Sequence, residues 1–288
     1  MMKIIKNSLW LWLWLWLWLW LWLWLWLWLL LPALLQAEVY QWTDQQGRLH
    51  YDDRGHENAK VLNIDPGISY YDVEKVFDGD TILLSNGDKV RLLGVNTPEI
   101  AGRNKLAEAG GDAAKAWLKQ VLAHRKVFLQ SDVEKQDKYQ RRLAYVFTEN
   151  KEHINLELVK RGLATVNIYP PNLKYLDAFL AAQRSAQQAR HGLWGYDAYA
   201  PLPAEALDEA NYHGWKRLTG IIRSFKQTPK HVYLQFSDTV SISLESVALF
   251  PALDSYKGKH VEVRGWVTRS KDRFVLKIRH PADILLLP

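Results

Sequence analysis

The chain has 288 residues with 37 Lys+Arg, 31 Asp+Glu and 24% charged side chains, a composition that excludes a multispanning membrane protein and leaves room for two modest folded domains. The net charge of +6 is unevenly spread: residues 213–288 hold 13 basic against 6 acidic side chains, and residues 68–200 hold 19 against 16. A polyanion would therefore be drawn to the C-terminal third, although a solvated basic surface with no ligand has the same composition. The absence of cysteine excludes disulfides, thiolate metal sites, cysteine nucleophiles and a lipidated N-terminal cysteine.

Lys3 and Lys6 precede an uncharged apolar run from Leu9 to Leu31 that contains ten consecutive Leu-Trp dipeptides. Both faces of a strand would be apolar here, so the alternation carries no amphipathic information. As a helix the run reaches roughly 35 Å at 1.5 Å per residue, enough to cross a bilayer. Positive charge before it directs the remainder of the chain outward. Pro32 breaks the helix and Ala37 offers a small residue before a cleavage point ahead of Glu38. Residues 1–37 are thus expected to be a signal peptide or, if not removed, an inner-membrane anchor. Both readings place the body outside the cytoplasm, periplasmic or secreted, with membrane contact only through this segment.

Val39, Tyr40 and Trp42, then Leu49 and Tyr51, flank a polar turn at Gln45-Gln46-Gly47, the pattern of a β-hairpin. Residues 38–67 resemble a short hairpin module of unknown function found after the signal peptide in exported bacterial proteins, with Arg54–Gly67 as a linker. From Ile68 the pattern is β-rich: strands over Tyr70–Phe77, Thr81–Leu84 and Lys89–Val95, separated by turns at Asp78-Gly79-Asp80 and Asn86-Gly87. A helix is expected over Asn104–His124, its apolar face formed by Leu106, Ala109, Ala113, Ala116, Trp117 and Val121. Strands return at Lys126–Ser131 and Arg142–Phe147, then helices at Ile154–Arg161, stopped by Gly162, and Leu173–Arg190. Five strands with a helix between the third and fourth is the chain order of an OB-type barrel, an α+β fold that is mainly β, here spanning 68–199. Residues 200–212 read as a linker. Strands over Trp215–Phe225, Val232–Phe236, Val240–Leu244, His260–Thr268 and Phe274–Ile278 predict a second small OB-like β-barrel in the basic segment 213–288.

Three clusters in the first barrel carry chemistry: the acidic turn Asp78-Gly79-Asp80-Thr81, the run Arg91 to Glu99 that ends in a Pro-fixed loop, and Asp137 to Tyr145, a polar loop entering a strand. Singly each has a bland explanation, since Asp-Gly is common turn chemistry and lone surface arginines are ordinary. Together they supply what phosphodiester hydrolysis requires. Guanidinium groups stay charged and give paired hydrogen bonds to phosphate oxygens. A carboxylate takes a proton from the attacking water, and oxygen ligands hold a hard cation. The nine histidines show no metal-ligand spacing.

On these clusters residues 69–195 resemble the staphylococcal-nuclease family, and NLELVKRGLATV (155–166) and AQQARHGLWG (186–195) extend the resemblance past the active loops. The resemblance implies an OB barrel and a calcium-dependent nuclease acting on DNA and/or RNA that leaves 3′-phosphate ends. It makes Arg91 and Arg141 the phosphate-binding arginines and Glu99 the general base. Asp80, Asn96 and the main-chain carbonyl of Thr97 become ligands of Ca2+, Lys138 and Tyr139 contacts of the neighbouring phosphate, and Tyr169 the base-stacking tyrosine. Two positions depart from the family. Asn96 stands where Asp is frequent, which removes one negative charge and implies weak calcium binding. Gln140 stands where Gly usually precedes the second arginine, which implies strain if that position needs positive φ.

The competing expectation is a nucleic-acid-binding module of the cell envelope without hydrolysis. A purely structural envelope protein is a third, which leaves the charged triad unexplained. For the C-terminal barrel, a substrate groove with Tyr233 or Trp266 exposed stands beside a bracing role in which those aromatics are core. No obligate protein partner is evident.

Overall fold

In a computed structural model, the structure describes residues 16, 18–20, 22, 39–44, 48–55, 58–62, 67–102, 107–228 and 231–288. The leader or anchor reading of residues 1–37 and the turn at 45–47 fall outside these, wholly or almost so; among the described residues no helix is long and apolar enough to cross a membrane. The chain divides between Gly67 and Ile68 into two units.

The first unit contains strands β1 (Val39–Thr43), β2 (Leu49–Asp52) and β3 (Lys60–Leu62), in the antiparallel order β2-β1-β3. The hairpin forms as its alternation requires, with Trp42 stacked on His50 at 4.5 Å between ring centroids. Asp44 sets its corner, accepting from Arg48 Nε and facing His50 Nε2, each at 2.9 Å. Part of the stretch read as a linker pairs with β1 as a third strand, because Lys60-Val61-Leu62 is long enough to satisfy an otherwise open sheet edge.

The second unit begins with β4 (Tyr71–Val76), β5 (Thr81–Leu84), β6 (Lys89–Leu92) and the short β7 (Val95–Asn96), followed by helix α1 (Gly111–Leu122). Then come β8 (Lys126–Gln130), β9 (Arg142–Thr148), α2 (Ile154–Lys160), β10 (Thr165–Val166) and α3 (Leu176–Gln188). Strands β4-β5-β6-β9-β8 close a barrel, with β6 and β9 parallel and every other pair antiparallel. Ile82, Leu84, Val90, Leu92 and Val127 fill it, all essentially inaccessible. The third strand ends at Leu92, earlier than expected, because Gly94 turns the chain with φ +76 and a Cβ there would strike the Phe179 ring. Buried Asn155 ties β9 to that turn: its amide donates to Leu93 O at 2.8 Å and Ala144 O at 3.2 Å and accepts from Val146 N at 2.9 Å.

Helix α1 differs from its expected form. It starts at Gly111 rather than Asn104, and it buries Ala114, Leu118 and Leu122, while Ala113 and Ala116 face solvent. Residues 107–110 are not helical, because Glu108 is engaged by the backbone of Glu99 and Gly110 adopts φ +95. Leu106 lies outside the described residues. Gly162, at φ +64, follows α2 as expected, and the third helix begins at Leu176 rather than Leu173.

Residues 201–206, read as a linker, instead form β11 (Pro201–Pro203) and a 3-10 turn that buries Ala204. Strand β11 runs parallel to β12 (Trp215–Ile221). β13 (Ser224–Gln227), β14 (Val232–Gln235), β15 (Val240–Leu244), β16 (His260–Ser270), β17 (Arg273–Ile278) and β18 (Ile284–Leu286) follow. The expected strand over 215–225 is two strands: the chain bends after Ile221, so β12 pairs with β16 while β13 pairs with β14. One bent segment therefore supplies β12 and β13, towards the two ends of the order β11-β12-β16-β17-β15-β14-β13. With β15 and β17 parallel, this repeats the strand order of the first barrel.

The two barrels share a small core of Ala186, Leu193, Trp194, Tyr199 and Trp215, with Trp266 packed against it. Beside it, Glu262 pairs with Arg217 at 2.7 Å and Arg264 at 2.6 Å, and Arg264 donates to Gln187 on α3 at 3.2 Å. Burial alone would raise the Glu262 carboxyl, but the two arginines outweigh it and hold it below its usual range. Each buried aromatic of this junction contributes about 1.5–3 kcal/mol, so the C-terminal barrel braces the first. Trp266 is half-buried and packs against that shared core.

Candidate active site

The acidic turn Asp78–Thr81 is shaped by close packing rather than by a positive φ. A Cβ on Gly79 would lie 2.6 Å from Thr97 Cγ2 and 2.7 Å from Ala114 Cβ, so only glycine lets the turn approach both α1 and the 95–99 loop. Asp78 Oδ1 accepts from Asp80 N at 3.1 Å and fixes the turn. Asp80 is buried, and its Oδ2 accepts from Thr97 N at 2.8 Å and Thr97 Oγ1 at 3.1 Å. The β5–β6 register sets Thr81 opposite Arg91, which brings the guanidinium beside this carboxylate: Arg91 Nη2 lies 3.1 Å from Asp80 Oδ2. Burial pushes the Asp80 carboxyl up, against Arg91, which lowers it, and with Asp78, which adds to the rise.

Arg91 Nη2 also donates to Asn96 Oδ1 at 3.0 Å, and Asn96 Nδ2 donates to Thr97 O at 3.1 Å. The loop then carries Glu99, whose backbone is locked to Glu108: Glu99 N donates to Glu108 Oε2 at 3.0 Å, and Glu108 N to Glu99 O at 2.8 Å. On the third loop, Asp137 Oδ2 accepts from Arg141 Nε at 2.7 Å and faces its Nη2 at 2.7 Å. Its other oxygen receives Tyr139 N at 2.9 Å and Arg141 N at 3.0 Å. Burial would raise the Asp137 carboxyl; the bonds from Arg141 and Tyr139 outweigh that and lower it. Gln140, between them, adopts φ +63, the left-handed conformation in which its departure from glycine costs energy.

Asp78, Asp80, Arg91, Asn96, Thr97, Glu99, Tyr139 and Arg141 line one open cavity of about 510 Å³. The two candidate arginines, the candidate base and the three candidate cation ligands, drawn from three separate loops, thus meet in one place. Lys138 and Tyr169 line an adjoining recess of about 410 Å³ that shares Arg91, Tyr139 and Arg141 with the cavity. Tyr169 is 50% exposed and sits at the start of a tight turn closed by Asn172 N donating to Tyr169 O at 3.0 Å. Asn172 is clamped to Glu134 by two hydrogen bonds of 2.8 and 2.9 Å. Lys138 Nζ lies 5.0 Å from the centre of the Tyr139 ring.

The candidate cation ligands are hard oxygens, one carboxylate, one amide and one main-chain carbonyl, a set suited to Ca2+. Asp80 Oδ2 and Asn96 Oδ1 both lie against one Arg91 nitrogen, so they converge on a point where positive charge already sits. No group of three or more His, Cys, Asp and Glu stands at metal-binding distance among the described residues. A cation here would therefore depend on the amide and carbonyl oxygens as well as on Asp80.

Sequence reasoning did not reveal the supports of the site. Asp137 bracing Arg141 was visible only as spacing within the third cluster, whereas Glu108 clamping the Glu99 backbone had no local signal. His153 is structural: it is stacked on Phe147 at 4.5 Å, and burial lowers its pKa to about 4.

The sequence matches the family described as "Staphylococcal nuclease homologue" over residues 89–196. A second family, "Domain of unknown function (DUF4124)", matches residues 26–70. The chain is 41% identical over 127 residues to a thermonuclease of Staphylococcus intermedius, covering 43% of this chain and 75% of that protein. A thermonuclease of Staphylococcus hyicus is 39% identical over 127 residues, with coverage of 43% and 75%. Endonuclease YncB of Bacillus subtilis (strain 168) is 36% identical over 132 residues, covering 44% of this chain and 62% of that protein. With the closed barrel and the cavity in place, these similarities show that the chain belongs to the staphylococcal nuclease family.

Proposed function

We propose that the chain is an exported, calcium-dependent nuclease that hydrolyses phosphodiester bonds of DNA and/or RNA and leaves 3′-phosphate ends. Membership of a nuclease family supports the reaction class. The observation that carries the reading is the meeting of Arg91, Arg141, Glu99 and Asp80 around one open cavity of about 510 Å³, room enough for a phosphodiester.

The scissile phosphate enters between Arg91 and Arg141, whose guanidiniums donate to its nonbridging oxygens and stabilise the charge that builds there. Asp137 pre-aims Arg141, so little side-chain ordering remains when substrate binds. Glu99 accepts a proton from the attacking water as the new P–O bond forms. The bond to the 5′ oxygen breaks, and that oxygen leaves protonated by solvent, with phosphate retained on the 3′ side. Asp80, Asn96 and the Thr97 carbonyl would hold a calcium ion, which would supply further polarisation of a phosphate oxygen. Lys138 and Tyr139 hold the neighbouring phosphate, and the base lies against Tyr169 in the recess.

The apolar run after Lys3 and Lys6 supports export. The test is digestion of single-stranded DNA and RNA with calcium, magnesium or chelator, followed by end-group analysis. Calcium-dependent cleavage leaving 3′-phosphates is the expected result. Binding without cleavage at millimolar calcium would make the chain a binding module instead.

A further inference from the structure

On β17, Phe274, Leu276 and Ile278 point into the second barrel's core, so Val275 and Lys277 lie on its outer face, and Arg279 follows the last residue of the strand. That face turns toward the nuclease barrel. The Arg279 guanidinium sits over the Tyr169 ring, 4.5 Å from its centroid, a cation–π contact between the two barrels. Lys277 and Arg279 line a narrow seam together with Asn167, and Asn167 also lines the recess in which Tyr169 stands. The recess and the seam therefore adjoin Asn167 from two sides, with the Arg279–Tyr169 contact beside it. Arg279 is part-buried: its Nε lies 2.8 Å from Glu245 Oε2 and Asp283 stands beside it, two carboxylates with which an incoming phosphate competes. Lys277 is exposed and forms no ion pair among the described residues.

We propose that the C-terminal barrel supplies a second substrate subsite: the strand leaving the Tyr169 recess crosses the Arg279–Tyr169 pair and places its phosphates at Arg279 and Lys277. The ligand is a single-stranded polynucleotide, because the track joins an aromatic face to a short row of cations. Arg279 plays two parts. It holds the Tyr169 ring from one side, leaving the recess-facing side for a base, and it offers its charge to the next phosphate. The basic excess of residues 213–288 then has a use at one defined edge rather than as a diffuse field.

This inference rests on the nuclease reading for its starting point, the Tyr169 recess, and the experiment separates the two. The full-length chain carrying Glu99→Gln, with calcium present, is titrated with fluorescent oligothymidylates of two and ten nucleotides and an oligouridylate of ten, across a range of salt. For single strands each lost phosphate contact lowers the slope of log affinity against log salt by about 0.7. Lys277→Gln/Arg279→Gln is expected to lower the slope for a ten-mer by about 1.4, with the dinucleotide slope held. Arg279→Lys is expected to restore its share of the slope, which a purely structural role for Arg279 does not predict. Lys277→Gln alone, on an exposed strand face, gives a fall of about 0.7 without any demand on folding. A fall with the DNA or the RNA ten-mer supports the subsite; unchanged slopes with both overturn it. Failure of the base recess reads differently, as dinucleotide affinity unchanged by Tyr169→Ala.

Discussion

Arg91 Nη2 lies 3.1 Å from Asp80 Oδ2 and in the same position donates to Asn96 Oδ1 at 3.0 Å. The guanidinium thus stands against two of the three oxygens proposed to bind calcium, and the same guanidinium is proposed to bind phosphate. Burial pushes the Asp80 carboxyl up, and the Arg91 guanidinium opposes that rise whether or not metal is present.

The amide at position 96 sets the strength of the cation site. With an amide rather than a carboxylate at position 96, the chain is expected to bind calcium with a dissociation constant of roughly 10⁻⁴–10⁻³ M. Asn96→Asp adds a charge whose attraction at ~4 Å is up to about 4 kcal/mol before hydration is discounted, so a gain in affinity of about tenfold or more is expected. Calorimetric titration checks both values, and micromolar affinity in the unaltered chain would contradict the argument.

Gln140 carries φ +63 in the loop that presents Tyr139 and Arg141. A non-glycine residue pays about 1–2 kcal/mol there, and glycine returns part of that as unfolded-chain entropy. Gln140→Gly is expected to raise stability by about 0.5–1 kcal/mol in urea denaturation, with the Asp137–Arg141 pair intact. A loss of stability would show that the Gln140 side chain makes a compensating contact.

His153 is largely enclosed by Tyr145, Phe147, Tyr175 and Phe179, and its Nε2 has no hydrogen-bond partner among the described residues. Burial, with Lys160 adding to it, lowers its pKa to about 4, below the 6.5 of a free imidazole. Between these values the unfolded chain binds a proton that the folded chain refuses. Stability from this site is therefore whole above about pH 6.5 and falls as pH drops toward 4, by of order 3 kcal/mol. His153→Phe is expected to flatten that part of the stability–pH curve. An identical acid profile in the variant would place the titration elsewhere.

Much of this arrangement was legible in the sequence, for physical reasons. Alternation marked the barrel strands because one face of each must be buried, and the first barrel's strand order followed from where the helix fell between them. Asp80, Arg91, Glu99 and Arg141 could be picked out because a phosphate site needs those groups and they sit at strand ends. Other features depend on contacts distant in sequence. The start of α1 is set by Glu108 capturing the Glu99 backbone, which no helical period records, so Ala113 and Ala116 were assigned to the wrong face. Gly79 read as turn chemistry, whereas its cause is the nearness of Thr97 and Ala114. The Arg279–Tyr169 contact joins residues 110 apart and follows from how two barrels dock. That docking also makes deletion of residues 205–288 a poor probe, since it would expose Trp194 and Tyr199.

The most direct test of the central claim is single-turnover cleavage of a labelled oligonucleotide by the full-length chain and by Glu99→Gln, at saturating substrate and millimolar calcium. If Glu99 takes the proton of the attacking water, the variant should bind the oligonucleotide as before and cleave it about 10²–10⁴-fold more slowly. Cleavage at an undiminished rate would remove Glu99 from the chemistry and, with it, the assignment of this cavity as the place where the phosphodiester is broken.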